Sequence, residues 1–556
     1  MAMAMATVMG TAVKLPRVRA LDVEDLAGPP AVSHAATVLS HVVVVALALG
    51  SGTSFAQLSG LGIGAAGTGG TIGADSGGAT SSAGLRVQPR ISLTQTWTDN
   101  LSLNDAAKDA ALITVLAPGI SVSSSAGRLR GSLDYSLNGL LYTKTDRPNN
   151  VQQTLAANGT LELIERRLFV DARASYGQQQ QSAFGQQTST ENAIRNPNSS
   201  DVASLTVSPR LLGRMGNIAT YQLNGSVTET KVKDSSTGDS RVTSLSFNTQ
   251  GLATGPLNWT ASATTQNSNF DAGKENTRTS ATGGLTYRPD IDWTVSGNAG
   301  IERSDLQSGF SQTAATYGLN AQWTPTPRTS LQGNYQSHDY GDSHTISFDH
   351  RFQRSSIRFS DNSSVSQGFN SRSGGQQSNY DLFYFQFESR EPDPIKRDLL
   401  VRQTLLELGL SPAAPANSGF VSSAPTLQRR QELSGSWQGL RTTVTTTLSQ
   451  SRSSRIGEQV PGSGDLSNSS LVRERNASAT VAYRLTPTSS TNLTVTERQI
   501  RGDLSSQSST LRTINASWNG RLGERGSVIV GARYSLFEGQ LPYRENAVFA
   551  TLVHQF

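Results

Sequence analysis

From Leu85 to the last residue the chain repeats one pattern: about ten residues of alternating apolar and polar side chains, then a turn. Trp293, Val295, Gly297, Ala299 and Ile301 fall on one side, with Asp292, Thr294, Ser296, Asn298 and Glu302 on the other. Tyr317, Leu319, Ala321 and Trp323 alternate with Gly318, Asn320, Gln322 and Thr324, and Val528, Val530, Ala532, Tyr534 and Leu536 repeat the scheme. A period of two sends successive side chains to opposite faces of a strand, so each segment has one oily and one wet face. Two architectures use such strands. A soluble sandwich packs its oily faces together, whereas a membrane barrel turns them to lipid and lines its lumen with the polar ones.

Three features select the barrel. The polar faces are mostly Ser, Thr, Asn and Gln with occasional Arg, Asp and Glu, as a wet lumen permits. Aromatics gather near strand ends, at Trp97, Tyr142, Tyr176, Trp259, Tyr287, Trp323, Trp437, Tyr483 and Trp518, as interfacial girdles do. Turns also alternate in length. Met215-Gly216-Asn217, Thr326-Pro327-Arg328 and Thr486-Pro487-Thr488 are short, while 99–110, 181–200, 452–470 and 539–544 are long. Short periplasmic turns on one rim and external loops on the other produce this rhythm. The expected fold is all-β: a single-chain transmembrane antiparallel β-barrel of about 22–24 strands, even in number because both ends are periplasmic.

The stretch 391–428 bears on that number. Residues 395–410 set Leu399, Leu400, Leu405, Leu406 and Leu408 among Lys396, Arg397, Arg402 and Glu407, the pattern of a short amphipathic helix. It lies in a helical insertion at about 391–416. Putting that insertion on the periplasmic side requires a weak strand near 417–423 and raises the count to 24. The helix, through Leu399, Leu405 and Leu406, would dock a partner, sit at the barrel mouth or simply order the insertion.

The two ends of the chain carry their own signals. Val38 to Leu49 is a twelve-residue apolar run, too short for a membrane-spanning helix of roughly 17–25 residues. It leads through Gly50-Ser51-Gly52 to Ser54-Phe55-Ala56-Gln57, so residues 1–56 read as a secretory signal with a long leader, cut after Ala56. Residues 57–84 are rich in Gly, Ser and Thr and read as a flexible segment too short to fold as a plug. Their Gly62-Ile63-Gly64-Ala65-Ala66-Gly67 has the spacing of a dinucleotide loop but lacks the strand before it and the helix after it. At the other end Val548, Ala550, Leu552, His554 and Phe556 share one face. Outer-membrane barrels commonly close on such a strand, ending in an aromatic that the insertion machinery grips. That machinery, the lipid bilayer and lipopolysaccharide are the expected partners in a Gram-negative outer membrane.

No catalytic, cofactor or metal site is expected. The absence of Cys removes disulfides, thiolate–zinc centres and thiol nucleophiles together. No His-Glu-x-x-His, phosphate-cradling Gly-Lys-Ser/Thr or Gly-x-Ser-x-Gly run occurs. His338 and His344 flank the hairpin Asp339-Tyr340-Gly341-Asp342 and, with Asp342, come nearest to a metal set, though polar groups flanking a turn are the plainer reading. The net charge of +5 is scattered among acids with no basic stripe, which argues against nucleic acid. Asp134, Asp292 and Glu302 alternate with outward apolar residues and are the candidate lumen-facing carboxylates. Arg130, Arg241, Arg303, Arg358, Arg484 and Arg533 would join them, biasing permeation by charge and size or bracing the wall with ion pairs.

The chain also resembles the outer-membrane β-barrel proteins associated with the PEP-CTERM/exosortase system. The likeness rests on Ile91-Ser92-Leu93-Thr94 leading to Thr98-Asp99-Asn100, on Ala117-Pro118-Gly119-Ile120-Ser121, on Leu133-Asp134-Tyr135-Ser136-Leu137, and on Leu427-Gln428-Arg429-Arg430-Gln431. It extends over essentially all of 85–556. The resemblance implies a role beside exopolysaccharide production and surface-protein sorting: a pore or docking barrel for envelope polymer export, with polysaccharide export proteins as partners. A non-conducting structural or assembly barrel is the alternative, and a barrel enzyme the third.

Overall fold

In the computed structural model the described residues run from 84 to 556, apart from short pieces of several loops and turns and most of 367–424. The signal and glycine-rich segments expected at 1–56 and 57–84 lie, but for Gly84, outside the described residues. The described residues form 22 strands joined in one antiparallel sheet. The first six are β1 (Leu85–Thr98), β2 (Ala111–Ser124), β3 (Leu129–Thr143), β4 (Asn150–Ile164), β5 (Leu168–Gln180) and β6 (Ser199–Met215). Next come β7 (Ala219–Val232), β8 (Ser240–Gly251), β9 (Leu257–Phe270), β10 (Asn276–Tyr287), β11 (Trp293–Ser304) and β12 (Gln312–Thr326). They are followed by β13 (Thr329–Ser337), β14 (Ser343–Arg351), β15 (Ser355–Ser366), β16 (Thr426–Gln438) and β17 (Thr442–Arg455). A short helix, α1 (Asp465–Asn468), precedes β18 (Leu471–Thr486), β19 (Ser489–Arg501), β20 (Ser508–Leu522), β21 (Gly526–Glu538) and β22 (Tyr543–Gln555).

Each strand pairs with its sequence neighbours, and β1 pairs with β22 from Arg90↔Gln555 to Thr98↔Ala547. The ring is therefore closed. Closure satisfies the backbone groups that a sheet edge would leave bare in hydrocarbon, where no water replaces a missing partner. At the seam the Thr94 and Thr551 hydroxyls add a side-chain hydrogen bond of 2.9 Å.

The alternation read from the sequence sorts the faces. Leu93, Trp97, Leu285, Ile301, Leu319, Leu433, Val495, Val530, Val548 and Leu552 are exposed on the outer wall. Inward positions pair hydroxyls across strands, as at Thr206–Thr228 (3.0 Å), Ser226–Ser244 (2.7 Å) and Ser262–Thr282 (2.7 Å). The oily exterior and hydroxyl-lined interior are those of a barrel in the outer membrane. Connections after even-numbered strands are tight, helped by left-handed glycines such as Gly216 (φ 55°) and Gly523 (φ 72°) that carry no Cβ penalty. The longest connections, after β1, β5, β15 and β17, all follow odd-numbered strands. The strand ends at Leu85 and Gln555 lie on the rim of tight turns, which makes it periplasmic and the other rim external.

The count of 24 is corrected to 22. β15 and β16 pair directly, from Ser355↔Trp437 to Ser366↔Thr426, leaving no place in the sheet for a strand between them. The expected strand at 417–423 falls outside the described residues. Ser366 and Thr426, the strand ends that flank the insertion, stand on the external rim rather than the periplasmic one. Leu399, Leu405 and Leu406 also lie outside the described residues. Their neighbourhood is helical at Arg397, Leu400, Val401 and Thr404, and a second helical stretch, missed from the sequence, includes Tyr380, Phe383, Tyr384 and Phe387. Phe383, Phe387 and Val401 are buried together, with Tyr380, Tyr384 and Leu400 around them. The Arg397 guanidinium covers the Tyr384 ring at 4.8 Å.

Candidate functional site: the external mouth

Loops from several parts of the ring meet over the lumen at the external rim. The segment after β5, described at 181–189 and 196–198, leaves its own strands and reaches the far side. β5 and β19 stand eight places apart around the ring of 22, yet Arg498 of β19 donates through Nη1 to Gln187 Oε1 (2.9 Å) and Gln180 Oε1 (3.2 Å). Arg498 is buried, and its Nε donates to Glu474 Oε1 at 2.7 Å. A charge taken from water needs both a counterion and full hydrogen bonding; Glu474 supplies the first, and Gln180 at the end of β5 and Gln187 of the limb help supply the second.

The limb is held elsewhere too. Tyr543 donates its hydroxyl to the Gln187 carbonyl at 2.7 Å, and Gln186 Nε2 donates to the Leu103 carbonyl at 2.7 Å. Ser182 Oγ donates to Asp465 Oδ1 at 2.7 Å, and the Ala183 amide donates to the other carboxylate oxygen. Burial pushes the Asp465 carboxyl above the usual carboxylate range, against the pull of those two hydrogen bonds. Beneath the limb, Ala183 and Phe184 pack with Leu466, Val472 and Ile500. A second buried cluster joins Leu101, Leu103 and Ile113 to Leu511, Phe537 and Tyr543. The internal bonds Asn196 Nδ2 to the Gln186 carbonyl (2.9 Å) and Asn198 Nδ2 to the Ser182 carbonyl (2.7 Å) shape the limb itself.

Another contact is made by the β13–β14 hairpin. Its Tyr340 packs with Leu306 and Ile456, loop residues after β11 and β17. Glu302 lies 1% exposed beneath it and accepts from Arg278 Nη2 at 2.7 Å and from His338 Nδ1 at 2.9 Å. The His338 ring stacks on Tyr340 with centroids 4.9 Å apart. Burial, and then the neighbouring Glu302 charge, hold the Asp339 carboxyl above its ordinary range. His344 goes elsewhere, to Asp361 at 3.3 Å, so the two hairpin histidines serve different carboxylates. Among the described residues no group of three or more His, Cys, Asp or Glu is arranged to hold a metal ion.

The three sequence-derived carboxylates separate in space. Asp134 is at mid-wall on β3, bonded to Arg90. Glu302 is the hub under the external hairpin. Asp292 is in the β10–β11 turn, where its carbonyl accepts from the Thr324 amide at 2.9 Å and its own amide donates to Asp290. Strand parity divides the arginines as well. Arg533 is buried against Glu545 (2.9 Å), whereas Arg241 and Arg303 share the outer face of Leu245 and Ile301. In the closing strand Val548, Ala550 and Leu552 are exposed on the lipid side, and the Phe556 amide donates to the Pro89 carbonyl at 3.1 Å. The crossing limb was not found by sequence reasoning; its one visible trace was a loop longer than most, rich in Gln and Asn.

No family model matches the sequence, and no curated protein matches it. Among solved structures it is similar to the siderophore receptor PirA from Acinetobacter baumannii, at 10% identity over 84% of this chain and 80% of that one, with a TM-score of 0.44. It is similar to the FrpB iron transporter from Neisseria meningitidis at 13% identity over 85% and 83%, TM-score 0.45. The copper transporter OprC matches at 9% identity over 84% and 80%, TM-score 0.40. At these identities the likenesses assign no cargo to this chain. They do correct the resemblance to PEP-CTERM/exosortase barrels: the solved structures matched are siderophore receptors and metal transporters, and no family model ties the chain to that system. The polymer-export role and the polysaccharide export partners, which rested on that resemblance, are withdrawn with it.

Proposed function

We propose that this barrel is a gated outer-membrane transporter that admits a hydrophilic solute from outside, with the limb described at 181–189 and 196–198 as its gate. The observation that supports the reading is the bond from buried Arg498 of β19 to Gln187 of that limb, eight places round the ring from β5. A ring of this size encloses a lumen that is an aqueous channel unless something blocks it. Here hydroxyl pairs line the wall and loops converge over its external end. Planar-bilayer recording tests the idea: the wild-type barrel gives small or rare conductance steps, and Arg498→Ala gives larger and longer ones. Equal conductance of the two folded proteins would remove the limb from the role of gate.

A second reading concerns cargo. Twenty-two strands is the number at which outer-membrane transporters carry a plugged lumen, which favours uptake of a bulky solute such as a metal chelate. Growth of a deletion strain on single chelated iron or copper sources tests it. A growth defect on one source, restored by the gene, supports metal-chelate uptake; unaltered growth on all of them argues against it.

A further inference from the structure

The outer wall carries a row of like charges. Arg429 on β16 stands directly opposite Arg452 on β17, Arg452 opposite Arg473 on β18, and Arg473 opposite Arg501 on β19. All four are exposed and share the face of Leu433, Leu448, Val481 and Val495, which is the lipid face. Adjacent strands are about 4.8 Å apart, so four guanidinium stems leave the wall within about 15 Å. Like charges directly opposite one another destabilise a sheet. Arg429 is answered by Asp361, at 2.6 Å and 3.0 Å. Arg452, Arg473 and Arg501 have no ion pair or hydrogen bond among the described residues. Nearby carboxylates are engaged: Glu497 and Glu538 with Arg512 (3.1 and 3.5 Å), and Asp503 with the Ser470 amide and hydroxyl.

Height along the wall gives the row its meaning. Tyr483 and Arg473 lie on β18 ten residues apart. At about 3.3 Å per residue and a tilt near 40°, that separation is about 25 Å along the barrel axis, the height of the apolar band. With Tyr483 at the periplasmic interface, the arginines stand where the external headgroups begin. Just below them a groove of about 510 Å³ crosses the lipid face between Phe359 and Gln499. Ala477 opens it, being a short side chain set between Leu448 and Glu497 in the same register.

We propose that this row and groove form a lipopolysaccharide-binding site, with lipid A phosphate on Arg452, Arg473 and Arg501 and an acyl chain along the groove. A guanidinium offers phosphate two parallel donors, and a phosphate between neighbouring arginines relieves their mutual repulsion. Gln431, Gln450, Arg475 and Gln499 line the groove next to the arginine row, and Phe359, Leu433, Leu448 and Ala477, one row lower, offer apolar contact where the acyl chains start. The site sits on the outside of the wall and is independent of what passes through the lumen.

Titration of the full-length refolded barrel, in neutral detergent, with bisphosphorylated lipid A followed by native mass spectrometry tests the site. One tightly held lipid A is expected per barrel. Binding is expected to weaken about tenfold or more in R452Q/R473Q/R501Q and to stay unchanged in R512Q, whose arginine is already paired. Dephosphorylated lipid A should bind weakly, and millimolar inorganic phosphate should not compete. Undiminished binding by the triple variant, or equal affinity for the dephosphorylated lipid, would overturn the proposal. Displacement by inorganic phosphate would overturn it too, in favour of a free-anion site. Heat-modifiable gel mobility verifies folding, and Arg473→Gln alone, from the middle of the row, replaces the triple variant if that one does not fold.

Discussion

Arg90 and Asp134 meet across the strand that separates them. Nη1 and Nη2 of the guanidinium lie 2.8 Å from the two carboxylate oxygens, and the bridge from β1 to β3 passes over Gly119 of β2. A Cβ at position 119 would lie 3.2 Å from Arg90 Nε and 2.9 Å from the Tyr135 carbonyl oxygen. The missing side chain is what lets a charged pair span three strands of the lumen wall.

Asp134→Asn is expected to cost less than about 1 kcal/mol, because the pair is 30% and 46% exposed and water screens it. Gly119→Val should cost more, about 1–3 kcal/mol, since it crowds backbone as well as the guanidinium. Urea titration of tryptophan fluorescence in the two variants gives the order directly. A larger loss from Asp134→Asn would mean that the pair is better shielded than its exposure indicates.

Arg498→Ala strands Glu474 in a buried site and strips Gln180 and Gln187 of their shared donor. Breaking one side of a buried pair costs about 3–5 kcal/mol, but the loss here should be local, freeing the limb rather than unfolding the ring. Hydrogen exchange is expected to rise at 181–189 and to stay constant in β10–β12. Arg498→Lys should rescue little, because a lysine ammonium does not match the fork that reaches Glu474 and both glutamines.

The contact of Asp465 with the limb should strengthen in mild acid. Burial raises its folded-state pKa above the unfolded value, so the folded protein takes up the proton first as pH falls. The charged form penalises the contact at neutral pH. That penalty disappears between the raised folded value and the ordinary carboxylate value, with no further gain below both. Arg455 Nη1 donates to the Leu466 carbonyl at 2.7 Å and holds the same turn from its other side. Protection of the Ser182 and Ala183 amides, corrected for intrinsic exchange, is therefore expected to be higher at about pH 5 than at about pH 7.5. Asp465→Asn should flatten the difference.

The insertion between β15 and β16 should be dispensable for the ring. Val365↔Leu427 and Ser366↔Thr426 already pair at its base, so a short hairpin loop can replace 367–425 without shifting register. Shortening the loop also slightly lowers the cost of closing it. The excised protein should retain heat-modifiable mobility and the wild-type β-sheet circular dichroism. Failure to fold would give the helical insertion a structural role that the pairing does not require.

Legibility of the sequence followed the range of the forces involved. Strand alternation is local, so the polarity of each face at Trp293–Ile301 or Val528–Leu536 could be read residue by residue. Within the expected 22–24 strands, the choice of 24 followed from placing the helical insertion on the periplasmic side, and only the long-range pairing of β15 with β16 fixes the parity at 22. Asp292 was misplaced for a related reason: period two continues on paper into a turn where the backbone no longer follows it. The limb that reaches Arg498 joins residues about 300 positions apart, and no pattern along the chain encodes that contact. The arginine row is similar, since Arg429, Arg452, Arg473 and Arg501 become neighbours only when four registers are known.

The inside-out arrangement itself can be tested at two adjacent residues of β19. Val495 is 45% exposed on the lipid face, in the row with Ala479 near the middle of the apolar band. Thr494 faces the lumen, its hydroxyl 3.1 Å from that of Thr480. An arginine at the bilayer midplane on the lipid side costs about 2–4 kcal/mol, whereas one in a wet lumen loses no hydration. Val495→Arg should therefore slow or prevent folding into lipid vesicles, with Thr494→Arg giving up little more than one hydroxyl pair, about 1 kcal/mol. Folding yields into short-chain phosphatidylcholine vesicles, read by gel mobility, compare the two. If Thr494→Arg were the more damaging, the lumen at that height would be dry and packed, and the wide aqueous interior on which solute passage depends would be lost.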